Sequence, residues 1–267
     1  METDLTTERT ESAPSQTELV RRYFSAAKEY AQLYEETSPS ALFFNERLQR
    51  VLEFLAPIGS GRVLDVGCGP GVLLSRLASR PLEIFGLDLS PEMIAAAKAR
   101  AAGLGVSLAV GRLEYLPYLD SSFDVALGLG VLEYLPDQRA ALFEIARVAK
   151  PGAIVILSMV NKLSLYRWWE RSVYRVWKWL RSPGHRSASP EPRMWLQSRK
   201  SLARMMEAAK LEPFDVTYFD PNVCVAPFDS KFPKQASALN SWVKLNCSYW
   251  LFPVVHTAFL MRARRRP

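Results

Sequence analysis

Residues 63–71 place an acid and three closely spaced glycines at the point where an apolar run ends. The acid is Asp65, and the glycines are Gly67, Gly69 and Gly71. Glycine lets a backbone turn sharply and approach a ligand closely, because it has no β-carbon. The dinucleotide fingerprint would also require glycine at the position of Val72. This loop therefore predicts a binding site for a ligand other than a dinucleotide, with an unliganded tight turn as the alternative.

A second acid, Asp88, ends the next predicted strand, residues 82–88. Its distance from Gly71 fits the roughly 20-residue spacing at which nucleotide-binding βαβ units place a carboxylate on ribose hydroxyls. Ser90 and Pro91 follow as a helix N-cap and first helical residue. The alternative for Asp88 is a cap at a strand end. The combination of the glycine loop and this acid favours a ligand that contains a ribose.

These residues resemble the first motifs of class I S-adenosylmethionine (SAM)-dependent methyltransferases of the small-molecule type, similar to the ubiquinone/menaquinone group. Four later segments also match that family's pattern: Leu116–Pro117, Ser122–Val125, Val131–Asp137 and Lys150–Ala153. The resemblance covers residues 60–160. It implies SAM as cofactor, S-adenosylhomocysteine (SAH) as product, and no metal.

The resemblance also implies roles for individual cofactor-binding residues. Asp65 would orient the methionyl ammonium and Asp88 would bind the ribose. The other predicted cofactor contacts are Cys68, Leu89, Met93, Arg112, Leu113, Glu114, Leu129 and Tyr23. Arg112 departs from the family, which often has an acid there to accept the adenine amine. Because arginine cannot accept a hydrogen bond, we expect Glu114 or a backbone carbonyl to take that role.

Methyl transfer to an acceptor mainly requires positioning and exclusion of water, so few catalytic side chains are expected. Glu133 lies where many relatives place a histidine that faces the acceptor, and it could take a proton or hold an acceptor amine. A plain polar residue in a helical turn is the alternative. Tyr134 is a further acceptor contact. Tyr23 and Tyr30 resemble an N-terminal lid over the cofactor, with Tyr30 a second catalytic candidate; a core stripe explains them equally well.

The segment 162–181 alternates aromatic and basic residues at helical spacing. Trp168, Trp169 and Trp177 share its apolar face and are predicted acceptor contacts. Two interpretations stay open: a cap over the acceptor pocket, and a helix lying on an anionic membrane. Nucleic acid is not favoured, because the motif of amino-methylating DNA enzymes is missing after the fourth predicted strand. Either remaining interpretation favours a large apolar acceptor.

Composition is that of an ordinary globular protein, with 267 residues, 49% hydrophobic and 23% charged. The net charge of +7 lies mostly after residue 160, in the 162–181 segment and in the cluster Arg262–Arg266. Such clusters attract phosphate, anionic lipid or an acidic substrate. Three widely spaced cysteines, Cys68, Cys224 and Cys247, predict a reduced, cytoplasmic setting. We expect no leader or membrane anchor at the N-terminus.

Alternating strand and helix patterns predict an α/β protein with a mostly parallel sheet. The family resemblance implies a Rossmann-like class I methyltransferase fold, with seven strands and an antiparallel last strand. The predicted regions are a disordered tail (1–15), a helical lid (16–58), a SAM-binding core (59–160), a cap insertion (161–197) and the rest of the sheet (198–267), with a second insertion at 220–251. We expect one lid helix over 19–34 and a last strand near 254–261. Ligands should bind at the carboxyl ends of the strands.

The sequence thus predicts a SAM-dependent methyltransferase for a small lipophilic acceptor, methylated on oxygen, in the cytoplasm. Peripheral contact with the inner membrane face stays open beside the cap interpretation of residues 162–181. Two alternatives remain open. One is a catalytically silent, membrane-associated SAM-binding scaffold, and the other is an RNA or protein methyltransferase. The sequence predicts no oligomeric state.

Overall fold

The computed structural model describes residues 14–32, 34, 39–181, 191–225, 227–246 and 252–267. Most of the predicted tail, the loop that contains His185, and Cys247 lie outside the described residues. The helices are α1 (Gln16–Tyr23), α2 (Ala27–Gln32), α3 (Pro39–Leu55), α4 (Val72–Leu77), α5 (Pro91–Arg100), α6 (Gln138–Val148), α7 (Leu165–Trp169), α8 (Arg175–Arg181), α9 (Arg199–Ala208), α10 (Phe228–Lys231), α11 (Pro233–Asn246) and α12 (Phe252–Val255). A 3₁₀ turn spans Leu132–Tyr134, and a π turn spans Glu170–Tyr174.

Seven described strands form one sheet. They are β1 (Gly61–Val66), β2 (Leu82–Asp88), β3 (Ser107–Val110), β4 (Phe123–Gly128), β5 (Ala149–Val160), β6 (Leu211–Pro221) and β7 (His256–Arg265). Their order is β3-β2-β1-β4-β5-β7-β6. Strands β1 to β5 are parallel, and β7 runs antiparallel to both of its neighbours. The predicted fold class is confirmed.

Helices cover both faces of the sheet, as its buried strands require. On one face α6 and α9 contribute Leu142 and Met206 to a core with strand residues such as Leu64. On the other face α3 and α4 contribute Leu55 and Leu74 to a second core. The central strands are thus buried on both sides, and only their ends are available to a ligand.

The N-terminal lid forms two helices where the sequence predicts one. The backbone N–H of Phe24 donates to Val20, and the Ser25 hydroxyl donates to the carbonyl of Arg22 at 2.8 Å. The Phe24 bond is the last of the i to i−4 helical series, whereas the Arg22 carbonyl accepts from Ser25 instead of from Ala26, so α1 ends at Tyr23 and α2 begins at Ala27. The predicted single helix over 19–34 is wrong.

Strand β7 extends four residues beyond the predicted end at Met261, because its arginines have partners in the fold. Arg262 pairs with Asp215 at 2.9 Å and lies 4.0 Å from the ring centroid of Phe54. Arg265 donates to the carbonyl of Ala146 at 2.7 Å. The expectation of a C-terminal basic cluster offered to an anionic partner is therefore wrong for these two arginines, which hold the sheet edge to its neighbours.

Candidate functional site

The glycine loop lies at the carboxyl end of β1 and is hydrogen-bonded to the end of β2. The backbone N–H groups of Gly67 and Cys68 donate to the carbonyl of Leu87, at 2.7 and 3.0 Å. Gly67 has φ of +75°, and a β-carbon there would come within 2.9 Å of Val131. Any larger residue would thus be strained twice. The loop keeps a narrow backbone cradle between β1, β2 and the segment after β4.

Asp88 joins this loop to the start of α5. Its Oδ2 accepts the N–H of Gly69 and its Oδ1 accepts the N–H of Ser90, both at 2.9 Å. The hydroxyl of Ser90 accepts the N–H of Met93 and supplies the side-chain cap of α5. Burial raises the pKa of Asp88, and the donated N–H groups of Ser90 and Gly69 partly offset this rise. The carboxylate faces the cleft with lone pairs still available to a ligand.

A cleft of about 820 Å³ opens at this end of the sheet. Eleven of the residues predicted for the site line it: Tyr30, Gly67, Gly69, Asp88, Leu89, Met93, Arg112, Leu113, Glu114, Leu129 and Tyr134. Sequence reasoning missed one wall, which the lid supplies through Gln16, Thr17, Val20, Arg21 and Phe24. It also missed Ser90 and the segment Gly130, Val131, Leu135 and Pro136 on the opposite wall.

A smaller cavity of about 400 Å³ lies behind the glycine loop and contains Asp65. Asp65 is only 3% exposed, and its Oδ1 has no hydrogen-bond partner among the described residues. Burial raises the pKa of this carboxyl to about 7, with Arg47 lowering it and Asp88 raising it. A buried acceptor left without a donor is costly to a folded protein. Its position therefore fits a ligand that brings a cationic donor, such as the methionyl ammonium of SAM.

Arg47, in α3, is the cation of the same cavity and was not predicted. It is 4% exposed, and its Nη2 donates to the hydroxyl of Tyr34 at 3.2 Å. A β-carbon at Gly130 would lie 2.4 Å from its Nη1, so glycine there makes room for the guanidinium. The sequence did hold a signal, since Arg47 lies four residues after Phe43 and four before Val51, on the buried stripe of the helix.

Glu133 is buried beneath the acceptor side of the cleft. It is 4% exposed, and its Oε2 has no hydrogen-bond partner among the described residues. Burial raises the pKa of Glu133 to about 7, and the positive charges of Arg47 and Arg167 oppose that rise. The cleft is lined by the next residue, Tyr134, whose ring packs 5.0 Å from that of Phe24. The carboxyl of Glu133 thus stands behind the wall rather than in it.

Arg112 and Glu114 form an ion pair at the adenine side that the sequence predicts. Their side chains meet at 3.0 Å, and both residues line the cleft. The Glu114 side chain is 12% exposed and that of Arg112 is 49% exposed. An acid is therefore present in the cleft two residues after the position at which the family pattern places one.

The remaining predicted site residues lie away from the cleft. Trp168, Trp169 and Trp177 do not line it, and Trp168 is 61% exposed on α7. Tyr23 is exposed, while Gly71 is packed against α5, where a β-carbon would meet Ala97 at 3.0 Å. Cys68 lines the smaller cavity as a buried thiol, and burial raises its pKa.

In the described ranges no group of three or more His, Cys, Asp or Glu side chains could hold a metal ion. None of the helices within those ranges is both long and apolar enough to cross a bilayer.

Comparison with known proteins agrees with this geometry. Residues 64–157 match the family model described as a methyltransferase domain. The ubiquinone biosynthesis O-methyltransferase of Hahella chejuensis is 33% identical over 148 residues, which cover 54% of this chain and 59% of that relative. The corresponding enzyme of Alkalilimnicola ehrlichii is 32% identical over 146 residues, with the same two coverages. The chain therefore matches somewhat more than half the length of these curated relatives.

Solved structures share the fold at low sequence identity. Magnesium protoporphyrin IX methyltransferase of Synechocystis PCC 6803, solved with SAH, superposes with a TM-score of 0.66 at 16% identity, over 94% of this chain and 100% of that one. The [4+2]-cyclase SpnF superposes with a TM-score of 0.64 at 21% identity, over 95% and 98%. Because one neighbour is described as a cyclase, the fold alone does not fix the reaction. Together, the family match, the sheet order and the glycine–acid site show that this chain carries a class I SAM-dependent methyltransferase domain.

Proposed function

We propose that the protein transfers the methyl group of SAM to a small lipophilic acceptor, with oxygen as the methylated atom. The observation that carries this proposal is the buried carboxylate of Asp65, whose Oδ1 has no hydrogen-bond partner among the described residues, beside Arg47 and the glycine loop. That arrangement suits a zwitterionic amino acid group, which needs a carboxylate and a cation within one enclosed space.

The residues present fit SAM along the length of the site. Asp65 would accept hydrogen bonds from the methionyl ammonium, and Arg47 would pair with the methionyl carboxylate. Asp88 would accept the ribose hydroxyls, and Glu114 would accept the adenine amine. When bound, SAM supplies an activated methyl group, and the cleft walls align the acceptor and exclude water.

The acceptor side of the cleft lies between the lid and the segment after β4. Its walls are largely apolar: Val20, Phe24, Val131, Leu135 and Pro136. Apolar walls favour a lipophilic acceptor, because its burial removes nonpolar surface from water. The similarity to ubiquinone biosynthesis O-methyltransferases supports oxygen as the methylated atom.

Glu133 is the proposed proton acceptor for a hydroxyl substrate. Transfer of the methyl group from the sulfonium would release SAH and leave the acceptor hydroxyl with a proton to lose, and the Glu133 carboxylate, with a pKa of about 7, is suited to receive it. Because Glu133 stands behind Tyr134, transfer of the proton to its carboxylate requires either a small movement of the 132–134 turn or a relay through water. Tyr30 remains a catalytic candidate only as a hydrogen-bond donor, since burial raises its pKa and keeps the phenol protonated.

The deciding experiment is transfer of labelled methyl from SAM into a host-cell extract, followed by partition into organic, nucleic-acid and protein fractions. Label in the organic phase that disappears with Asp88→Ala is the expected result. Label in a macromolecular fraction would instead support an RNA or protein methyltransferase. SAM binding without any transfer would support the silent scaffold.

We also propose a second partner, an anionic membrane, on the basis of charge and exposure. Residues 162–181 hold six lysines and arginines against one acid, and residues 228–246 hold three against one, so these segments carry net charges of +5 and +2. Large apolar side chains are exposed on both: Leu165, Trp168, Trp179 and Leu180 on the first, Phe228, Phe232 and Trp242 on the second. Exposed aromatic residues among basic ones are typical of interfacial helices.

The two insertions leave the sheet at the same end as the cleft. The first follows the carboxyl end of β5, and the second follows the carboxyl end of β6, which runs parallel to β5. A membrane on this side would lie near the cleft and would be the source of a lipophilic acceptor. Binding to phosphatidylglycerol vesicles, with none to phosphatidylcholine vesicles, is the expected result; equal binding to both or to neither would reject this partner.

A further inference from the structure

The first residue of α1, Gln16, is hydrogen-bonded to two distant segments at once. Its side-chain Nε2 donates to the carbonyl of Tyr134 at 3.1 Å and to the carbonyl of Arg193 at 2.9 Å. Its Oε1 accepts the backbone N–H of Arg193 at 3.1 Å. Both N–H groups of this side-chain amide therefore donate a hydrogen bond, and its oxygen accepts one.

The segment bound by Gln16, residues 191–197, is here called the strap. The strap is also fastened to the acceptor wall without help from Gln16. The N–H of Trp195 donates to the carbonyl of Glu133 at 2.7 Å. Gln138 donates to the carbonyls of Leu132 and Trp195, at 2.9 and 2.8 Å. The strap and the 132–134 turn are thus one connected structure, onto which Gln16 fastens the lid.

Apart from the packing of Phe24, at its C-terminal end, on the ring of Tyr134, helix α1 has few other contacts to hold it in place in the described structure. It contains no buried residue, although it forms one wall of the cleft through Thr17, Val20 and Arg21. Its capping box, Ser15 with Glu18, stabilises the helix internally and makes no side-chain hydrogen bond to the rest of the described structure. A helix with no buried residue gains little from apolar packing, so directed hydrogen bonds at its first residue have a large share in its placement.

We propose that Gln16 is the latch that holds α1 closed over the cleft, and that it acts as a positioning residue for cofactor retention. The identity of the retained ligand rests on the proposed function, whereas the latch itself rests on the three hydrogen bonds. Glutamine suits this place because it donates twice and accepts once. Glutamate could accept from Arg193 but would repel both carbonyls, and methionine would keep the length and lose all three bonds.

Hydrogen exchange of backbone amides tests the latch without any ligand. In Gln16→Met we expect amides of residues 17–23 to exchange about ten-fold faster, which corresponds to about 1.4 kcal/mol of opening free energy. Amides of the strap near Arg193 should also exchange faster, while those of β1 stay unchanged. Gln49→Met is the matched control, because Gln49 bonds only to the exposed Glu53 of its own helix. Unchanged exchange in α1 would overturn the proposal.

Dissociation of SAH tests the consequence for the site. Gln16→Met and Gln16→Glu should both release bound SAH about ten-fold faster, with the wild-type fraction of protein able to bind. A merely structural defect would lower that fraction and leave the dissociation rate of bound SAH unchanged. If SAH does not bind to the wild type, the proposed function fails and the exchange result still decides the latch. If SAH leaves both variants at the wild-type rate, the latch has no role in retention.

Discussion

Two regions of the molecule differ in the kind of chemical group that has no contact in the protein. One is the cofactor half, residues 61–160, and the other is the pair of insertions after β5 and β6. In the cofactor half, oxygens of Asp65 and Glu133 are buried without a hydrogen-bond donor in the described structure. On the insertions, large apolar side chains such as Trp168 and Trp179 lie in solvent, 61% and 66% exposed. Buried polar groups without partners indicate a binding site for a small polar ligand. Exposed apolar groups instead indicate a surface that contacts a membrane or another large partner. The two halves are therefore expected to bind different kinds of partner, and each can be disabled alone.

The largest effect on the cofactor half should come from Asp88→Ala. This change removes the charged acceptor of two loop N–H groups and the proposed ribose contact. We expect the Kd of SAM to rise about 100-fold, since a hydrogen bond to a charged group is worth about 1.5–3 kcal/mol. Calorimetry of SAM binding measures it. Glu83→Ala, an exposed acid on the same strand, is the control; an unchanged Kd for Asp88→Ala would refute the ribose assignment.

Arg47→Met should have the next largest effect on the same half. Methionine fills much of the space but removes the cation beside Asp65, so we expect about a 30-fold weaker SAM affinity, or about 2 kcal/mol. Arg50→Met is the matched control on α3, because Arg50 makes only surface ion pairs with Glu46 and Glu53. Equal affinities of the two variants would remove Arg47 from the site.

The pH dependence of SAM binding sharpens the role of Asp65. With a pKa of about 7 in the free protein, this carboxyl is protonated below pH 7 and must lose its proton to pair with an ammonium. Affinity should therefore fall as pH drops below 7, by up to about ten-fold per pH unit, and level off above pH 8. Asp65→Asn should bind weakly with a flat profile. A wild-type profile that is flat between pH 5.5 and 8 would contradict this assignment.

The smallest effect concerns the insertions. Trp168→Ala combined with Trp179→Ala should weaken binding to phosphatidylglycerol vesicles about five-fold, since much of the attraction is electrostatic and remains. The Kd of SAM should stay unchanged, which separates the two halves. Leu119→Ala removes a more exposed apolar side chain, 82% exposed, just before the amino end of β4 rather than at the carboxyl ends of the strands, and should bind vesicles normally. Loss of SAM binding in the tryptophan variant would show that the insertions and the cofactor half do not bind their partners independently.

The sequence could predict those features of the fold and the site that are specified by residues close together in the chain. Asp65, the glycines and Asp88 lie within one strand–loop–helix–strand unit, and the spacing that defines their chemistry also defines their geometry. The mostly parallel sheet followed from the alternation of strands and helices, and the antiparallel last strand from the family resemblance; the order of the strands was not predicted. Each of these features is specified by neighbours in the chain.

The features that were missed depend on contacts between distant residues. Gln16 finds partners 118 and 177 positions away, and nothing in its own neighbourhood marks it. Arg47 is one basic residue in an amphipathic helix until the fold places it beside Asp65. The tryptophans of 162–181 show the opposite limit, because an amphipathic pattern states which face is apolar but not what covers it.

The position of β7 has a consequence for the order in which the protein is made. This strand lies between β5 and β6, so β5 can pair only with β4, and β6 cannot pair in its native place, until residues 256–265 have left the ribosome. Until then the edge of β5 is open and β6 has no strand to join. Such edges are where nascent chains associate wrongly. The last strand thus completes the sheet by joining β5 to β6. A stop codon shortly before it would yield an aggregation-prone chain rather than a slightly shorter enzyme.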